Sequence, residues 1–156
     1  MKPAIFLDRD GTLIVDPGYP KDPELVELLP GVVEALTRFR DAGFALVVIS
    51  NQAGVGRGIL TPQQAQAVHE RFLLLFGEQG ITFDDVRYCF HAPEAGCACR
   101  KPAPGMILAS AARHGWDLPR SYMIGDKPSD VEAGRAAGCV GLAFTDWPSV
   151  TARILG

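Results

Sequence analysis

At four places in this chain a helical pattern ends at a glycine, and an apolar residue follows each glycine directly. Glycine just past the end of a helix adopts the left-handed conformation without a steric penalty from a Cβ atom. Between these points lie continuous apolar segments without strict alternation, which is typical of strands covered by helices on both faces. The pattern therefore predicts helices that alternate with buried strands. The four glycines are Gly43, Gly80, Gly115 and Gly138.

These four helix ends and the apolar segments divide the chain into predicted strands and helices. The strands are predicted at residues 4–7, 44–49, 86–90, 122–124 and 139–144. The helices are predicted at residues 31–42, 62–79, 104–114 and 129–137, with a last one from about residue 148. The second helix has a clear start, because Thr61 can cap it, Pro62 suits its first position and Gln64 is placed for a capping box. The alternation predicts an α/β fold with a doubly wound, open parallel sheet and right-handed crossovers.

The length of 156 residues predicts a single domain over residues 1–156, because a domain has roughly 100–200 residues. No insertion is long enough to form a separate cap domain. The composition, 47% hydrophobic and 21% charged, is typical of a globular protein and argues against disorder. Residues 16–30 are rich in proline, and we expect an irregular flap there, near the functional site.

The charge and hydropathy of the chain exclude two classes of partner. The formal net charge is −3 with no basic stretch, so the electrostatic attraction that dominates nucleic-acid binding is absent. No apolar run approaches membrane-spanning length, and the run at residues 4–7 is too short for a signal peptide. We therefore expect no nucleic acid and no membrane as partners, a cytoplasmic location and a monomer.

The first predicted strand ends on two carboxylates, Asp8 and Asp10, followed by Gly11. The carboxyl ends of the strands are where open α/β sheets bind their ligands. Asp8 is the candidate nucleophile, because a carboxylate beside a divalent cation stays ionised and can form an aspartyl-phosphate. Asp10 is then the candidate acid/base. The alternative is a plain turn, since Asp and Gly also tolerate turn conformations.

Polar residues follow two other predicted strands. Ser50, Asn51 and Gln52 come after the second strand, and their hydroxyl and two amides can donate hydrogen bonds to phosphate oxygens, although such residues are also common in turns. Asp126 follows the fourth strand, and together with Asp8 it could bind Mg²⁺. Arg100 and Lys101 are adjacent cations that suit a transferring phosphoryl group, with a solvated basic pair as the alternative.

Four soft metal ligands lie in two close pairs within residues 89–99. Four Cys and His ligands without an open position favour structural zinc. We expect this zinc to fix the loop that presents Arg100 and Lys101. The ligands are Cys89, His91, Cys97 and Cys99.

Taken together, the motifs resemble the haloacid dehalogenase superfamily, and the match runs from residue 2 to about residue 144. The motifs are Asp8-Arg9-Asp10-Gly11-Thr12, Ser50-Asn51-Gln52-Ala53-Gly54, the Cys/His pairs with Arg100-Lys101-Pro102, and Gly125-Asp126-Lys127. Within the superfamily they are most similar to the heptose 1,7-bisphosphate 7-phosphatases. The resemblance implies a Rossmann-like fold without a separate cap domain. It also implies a magnesium-dependent phosphatase, with bound zinc, for a small phosphorylated sugar.

The resemblance also implies roles for individual residues. Asp8 would be the nucleophile and Asp10 the acid/base, while Ser50 and Lys101 would stabilise the phosphoryl group. Magnesium would be held by Asp8, by the backbone carbonyl of Asp10 and by Asp126. Substrate would be bound by Asp16, Tyr19, Asn51, Arg100 and Lys127.

Several alternatives remain open from the sequence. A histidinol-phosphatase is the nearest relative of the implied enzyme, and another small-metabolite phosphatase of the same superfamily is a further alternative. A non-catalytic phospho-acceptor domain also has an aspartate at a strand end, but it needs no acid/base such as Asp10. A zinc-ribbon interaction module would leave the Asp8 and Asp126 motifs unexplained. The sequence does not determine which anomer of the heptose bisphosphate is preferred.

Overall fold

The computed structural model describes residues 1–16 and 22–156, and its centre is a five-stranded sheet in which every neighbouring pair of strands is parallel. The order of the strands across the sheet is β3-β2-β1-β4-β5. The predicted open parallel sheet is confirmed. The assignment of residues 1–156 to a single domain stays a prediction. The strands are β1 (Ala4–Leu7), β2 (Ala45–Asn51), β3 (Asp85–Cys89), β4 (Tyr122–Gly125) and β5 (Val140–Ala143).

Helices follow the strands, and five of them correspond to the predicted helices within two residues at each end that was predicted. They are α1 (Val32–Asp41), α3 (Pro62–Glu78), α4 (Gly105–His114), α5 (Pro128–Ala137) and α6 (Trp147–Leu155). The short α2 (Ala53–Gly56) was not predicted, because a single turn in a glycine-rich segment has no apolar periodicity. Short 3-10 helices lie at Pro23–Leu25, Pro93–Ala95 and Leu118–Arg120.

The local signals for helix ends have the expected geometry. Gly43, Gly80, Gly115 and Gly138 have φ of 95°, 79°, 78° and 94°, as left-handed caps require. The capping box of α3 is formed, with Thr61 Oγ1 accepting from the Gln64 backbone N–H (3.1 Å) and the Gln64 side chain accepting from the Thr61 N–H (2.9 Å). Among the described residues, no helix is long and apolar enough to cross a membrane.

The two faces of the sheet are covered by different helices. In β1, Ile5 and Leu7 belong to one apolar cluster, whereas Ala4 and Phe6 belong to another. The first cluster includes side chains of α1, α3 and α6, and the second includes side chains of α4 and α5. Because successive side chains of a strand point to opposite faces, helices lie on both sides of the sheet, and the doubly wound arrangement is confirmed.

The strand order places a crevice between β1 and β4. The chain runs from β1 outward to β2 and β3, then returns to β4 on the other side of β1 and continues outward to β5. At such a reversal the connecting segments diverge, and the carboxyl ends of the two central strands form a natural binding site. Asp8 follows β1 and Asp126 follows β4, so both lie at this position.

Candidate active site

A cavity of about 540 Å³ lies at the carboxyl ends of the strands. The structure brings eight of the predicted site residues to its wall. Asp126 lies beside it, within reach of the Asp8 carboxylate. Tyr19, which was predicted to bind substrate, lies outside the described residues. The eight wall residues are Asp8, Asp10, Asp16, Ser50, Asn51, Arg100, Lys101 and Lys127.

Lys101 is the buried cation at the bottom of this cavity. Its ammonium group lies 2.9 Å from Asp8 Oδ1 and 2.5 Å from Asp130 Oδ1, and it donates to the carbonyl oxygen of Ile49 at 2.9 Å. The side chains of Lys101, Asp8 and Asp130 are 2%, 8% and 1% exposed. Three acceptors match the three protons of the ammonium group, so Lys101 is held in one position.

The pKa values of both Asp8 and Lys101 are raised by the balance of burial and neighbouring charges. Burial raises the pKa of Asp8 to about 7, and although the Lys101 charge acts against this shift, Asp130 adds to it. For Lys101, burial acts to lower the pKa, but the charges of Asp8 and Asp130 outweigh burial and the pKa is raised. A divalent cation beside Asp8 would favour its ionised form.

Three carboxylates could hold that cation. Oxygen atoms of Asp8, Asp126 and Asp130 all lie within 4.8 Å of one another. A few carboxylates, with the remaining positions left to water and phosphate oxygens, are the donor set that Mg²⁺ prefers. Gly11 makes the cluster possible, because its φ is 82° and a Cβ atom there would overlap the Asp126 carboxylate. The role of the Asp10 carbonyl as a ligand stays a prediction.

Asp10 is engaged by two neighbouring side chains. Arg9 Nε donates to Asp10 Oδ1 (2.8 Å), and Arg9 Nη2 donates to Asp10 Oδ2 (3.3 Å). Gln52 Nε2 donates to the same Oδ2 at 3.0 Å and to Ser50 Oγ at 2.8 Å. The candidate acid/base is therefore connected through Gln52 to the hydroxyl that is predicted to bind phosphate.

Ser50 and Asn51 were predicted to follow the second strand, but they are its last two residues. They continue the pairing of β2 with β3, opposite Tyr88 and Cys89. The Asn51 amide accepts from the Lys101 backbone N–H (3.0 Å) and donates to the Lys101 carbonyl (3.2 Å). Asn51 therefore anchors the backbone that carries the Lys101 ammonium. Its role in substrate recognition stays a prediction.

Two further cations lie at the cavity wall. Arg100 is partly exposed, and its Nη1 lies 3.5 Å from the backbone carbonyl of His91. Lys127 is exposed and directly precedes α5, where its backbone N–H donates to Asp130 Oδ2 at 3.1 Å. Both cations can reach an anionic group of a molecule in the cavity, because both line it without being buried.

The four Cys and His side chains of residues 89–99 converge. Cys97 Sγ lies 3.5 Å from Cys89 Sγ and 3.4 Å from Cys99 Sγ, and His91 Nδ1 lies 3.4 Å and 3.2 Å from Cys89 Sγ and Cys99 Sγ. The Cys89–Cys99 distance is shorter, at 2.7 Å. A tetrahedral zinc with Zn–S bonds of about 2.3 Å separates its sulfur ligands by about 3.8 Å. The donor types fit zinc, and a small expansion of the cluster would meet its geometry.

Sequence reasoning assigned no role to Arg9, Tyr88 or Asp130, and it took Gln52 only as a possible donor to phosphate. Asp130 had a usable signal, since it lies four residues after Asp126 at the start of a helix, and the cluster includes both. Arg9 lies inside a quoted motif, but a charged residue beside a carboxylate is usually a solvated neighbour. The contact of Tyr88 with Arg9 joins residues 79 positions apart and has no local signal.

Comparison with protein families and curated proteins gives consistent results. A family model described as HAD-hydrolase-like matches residues 98–145. A D-glycero-beta-D-manno-heptose-1,7-bisphosphate 7-phosphatase of Helicobacter pylori is 44% identical over 84% of this chain and 76% of its own length. Enzymes of the same name from Yersinia pestis and Escherichia coli K12 are 39% and 40% identical, over 86% of this chain and 76% and 74% of their own lengths.

Solved structures show the same fold. The D,D-heptose 1,7-bisphosphate phosphatase of B. bronchiseptica, complexed with magnesium and phosphate, has a TM-score of 0.89 and 30% identity, with 98% of each chain covered. A HAD-like phosphatase of Mesorhizobium loti has a TM-score of 0.84 and 40% identity, and the match covers 90% of this chain and 71% of that protein.

Proposed function

This chain belongs to the D-glycero-β-D-manno-heptose-1,7-bisphosphate 7-phosphatase family, and we propose that it is a magnesium-dependent phosphatase. The proposed reaction removes the 7-phosphate of D-glycero-β-D-manno-heptose 1,7-bisphosphate. One observation carries the proposal. A nucleophile, an acid/base, a fixed cation and an acidic cluster meet at one cavity at the switch point of the sheet. This is the set of groups that transfer of a phosphoryl group to a carboxylate and then to water requires.

In the first step, a carboxylate oxygen of Asp8 attacks the phosphorus atom. The bond between phosphorus and the sugar oxygen breaks, and Asp10 gives its proton to that oxygen. In the second step, Asp10 removes a proton from a water molecule that attacks the phosphorus of the aspartyl-phosphate. The bond to Asp8 breaks, inorganic phosphate leaves, and both carboxyl groups return to their first state.

Mg²⁺ bound by Asp8, Asp126 and Asp130 would supply positive charge for the phosphoryl oxygens. The chain adds its own groups to this charge. The Lys101 ammonium is already oriented beside Asp8, and the Ser50 hydroxyl lies at the same wall of the cavity. Groups that are fixed before the reaction stabilise developing charge without reorganisation.

The non-reacting phosphate of the substrate needs a cation that the reaction itself does not use. Arg100 and Lys127 are candidates, because both lie at the cavity wall and neither contacts Asp8. Asn51 and Asp16, together with Tyr19, are the proposed contacts of the sugar. A site made for two phosphates discriminates against a substrate with only one, since its donors are then left unpaired.

We expect Arg100→Ala to lower kcat/KM for the heptose bisphosphate by roughly 10- to 100-fold, which is the value of a hydrogen bond to a charged group. The loss on 4-nitrophenyl phosphate should be much smaller, because that substrate has no second phosphate to hold. The measurement is kcat/KM on both substrates, with Arg113→Ala, at the exposed end of α4, as the matched control. Equal losses on the two substrates would contradict a role in recognition.

The same assay decides the substrate. The wild-type kcat/KM should be highest for the β anomer of the heptose bisphosphate, lower for the α anomer and lowest for histidinol phosphate. If histidinol phosphate equals or exceeds both anomers, the chain is a histidinol-phosphatase. The cytoplasmic location and the monomeric state stay predictions.

The Cys and His cluster supports a second part of the proposal, a structural zinc held by Cys89, His91, Cys97 and Cys99. The cluster is connected to the cavity, because the guanidinium of Arg100 contacts the His91 carbonyl and Arg100 directly follows Cys99. Zinc would therefore fix the loop that carries Arg100 and Lys101, with no part in the reaction.

Cys97→Ser is expected to reduce the zinc content from about one per chain to near zero, because a structural site needs all of its ligands. The midpoint of thermal unfolding should fall by at least about 5 °C, which corresponds to one to two kcal/mol in a domain of this size. Metal analysis and calorimetry measure both effects. Cys139→Ala is the control, since Cys139 is a buried cysteine that is not one of the four grouped ligands. A wild-type protein without zinc, purified in the absence of chelators, would refute the proposal.

A further inference from the structure

Arg9 is a buried cation that the proposed reaction does not use. The residue is 2% exposed, and its guanidinium lies beneath the wall of the cavity, next to Asp10. Burial acts to lower the pKa of Arg9, but the charge of Asp10, the interaction with Tyr88 and the hydrogen bonds to both together outweigh burial, and the pKa is raised. The side chain therefore carries a full positive charge inside the protein.

The fold itself gives no reason for this charge. A buried ion pair seldom stabilises a protein more than apolar side chains of similar size would, because removing both charges from water has a high cost. Among residues 1–16 and 22–156, Asp10 is the carboxylate within ion-pair distance of Arg9. The side chain of Asp10 is 15% exposed and lines the cavity. The ion pair therefore joins a buried arginine to a carboxylate of the candidate active site.

The contacts of Arg9 fix both oxygens of Asp10. Arg9 Nε and Nη2 each donate to a different oxygen, and Gln52 Nε2 donates to Oδ2 as well. The planar guanidinium matches a carboxylate in this two-point geometry, which an ammonium group cannot reproduce. The carboxylate of Asp10 is thus restrained in its torsion as well as in its place.

Arg9 is in turn held by groups behind it. Nη1 donates to the Tyr88 hydroxyl (3.2 Å), and Nη2 donates to Gln52 Oε1 (3.0 Å). The guanidinium carbon lies 5.1 Å from the centre of the Tyr88 ring and 6.0 Å from that of Phe72. The Tyr88 hydroxyl is itself fixed by His69 Nδ1 at 2.8 Å. Edge strand β3 and helix α3 therefore determine where Arg9 lies.

We propose that Arg9 is a positioning residue, which holds the Asp10 carboxylate at the orientation from which it exchanges protons with the leaving oxygen and with water. Tyr88 supports it from the rear. This inference rests on the proposed acid/base role of Asp10. It follows that Arg9 acts on the reaction only through Asp10 and contributes nothing to the binding of phosphate.

The test compares leaving groups, because a misplaced acid matters most where the leaving oxygen needs a proton. Arg9→Met should reduce kcat/KM for the heptose bisphosphate, which reports the transfer of the phosphoryl group to Asp8, by about 100-fold or more, the lower end of the value of general acid/base help. On 4-nitrophenyl phosphate, whose leaving group departs without a proton, the reduction in kcat/KM should stay below about 10-fold. kcat should fall for both substrates, because both form the same aspartyl-phosphate and Asp10 is the base in its hydrolysis.

Two companion variants separate positioning from charge balance and from folding. Arg9→Lys keeps the charge but loses the two-point geometry, so it should retain the stability better than Arg9→Met and yet recover little activity. Tyr88→Phe keeps the ring and loses only the hydroxyl, so it should fold as the wild type does and show a smaller loss in the same substrate-dependent pattern. Full recovery of activity in Arg9→Lys, or no selective loss in Tyr88→Phe, would overturn the inference.

A double-mutant cycle with Asp10→Asn distinguishes this inference from the proposed function. If Arg9 acts through Asp10, Arg9→Met adds no further loss of kcat in the Asp10→Asn background. Additive losses would refute the positioning role while leaving the acid/base role intact. If Asp10→Asn alone shows no selective loss on the substrate with the poorer leaving group, the acid/base role itself is wrong.

Discussion

Asp8→Asn is expected to reduce the release of phosphate from the heptose bisphosphate to the background rate. An amide oxygen cannot form the aspartyl-phosphate, and no other carboxylate of the cluster replaces the one that faces the phosphorus. The measurement is kcat, together with acid-quench trapping of phosphoenzyme from labelled substrate. Trapped phosphoenzyme should appear in the wild type and be absent in the variant. Retained turnover in Asp8→Asn would refute the mechanism.

The same substitution should leave the fold intact and change how the free energy of unfolding depends on pH. Because burial raises the pKa of Asp8 to about 7, the folded state binds this proton more tightly than the unfolded state does. Without Mg²⁺, the contribution of Asp8 is most favourable below its unfolded pKa of about 4 and is lost as the pH rises through about 7. The asparagine variant does not titrate there.

The stability comparison therefore has a simple form. In chelator, the free energy of unfolding of the wild type should fall relative to that of Asp8→Asn between about pH 4 and about pH 7. Urea unfolding at several pH values measures it. Asp41→Asn serves as the matched control, since that side chain is 70% exposed on α1. A difference that is constant over this range would show that burial does not control the proton of Asp8.

Lys101→Met is expected to have the second large effect, on both activity and stability. The substitution removes the cation between Asp8 and Asp130 and leaves two buried carboxylates without it. Removing one partner from a buried ion pair costs about 3–5 kcal/mol. We expect a loss of stability of that size at neutral pH, and a fall in kcat of about 100- to 1,000-fold, as for removal of one donor that stabilises the transition state.

The stability loss of Lys101→Met should depend on pH. Without the cation, the pKa of Asp8 rises further, so the folded variant takes up a proton as the pH falls and part of the loss disappears towards pH 5. Mg²⁺ should recover another part, because it brings positive charge to the same carboxylates. Urea unfolding with and without Mg²⁺ measures both effects, with Lys2→Met as the exposed control. A loss that neither pH nor Mg²⁺ changes would contradict this account of the cluster.

Local signals in the sequence were sufficient for most of the fold. The helix ends at Gly43, Gly80, Gly115 and Gly138 depend on one residue and its nearest neighbours, as does the capping box at Thr61, and all have the expected geometry. The apolar runs predicted strands covered on both faces for a similar reason, since successive residues of a strand point to opposite faces and each run is apolar without alternation. Short α2 and the extension of β2 through Ser50 and Asn51 have no such local signal.

The sequence by itself also determined which residue types meet at the site. Carboxylates placed after β1 and β4 must lie at one edge of a parallel sheet, and the two Cys and His pairs are close enough along the chain to converge. These conclusions depend on strand direction and on short separations. For that reason the catalytic residues of the cavity could be predicted from the sequence before any tertiary contact was known.

The tertiary structure decided how these groups are paired. That Lys101 lies between Asp8 and Asp130, or that Arg9 joins Asp10 to Tyr88, depends on which strands are neighbours and on how far each side chain reaches. The strand order β3-β2-β1-β4-β5 brings together residues that are up to 93 positions apart in these contacts. Pairing at such separations is fixed by the packing of the whole sheet and its helices, because no short segment contains both partners.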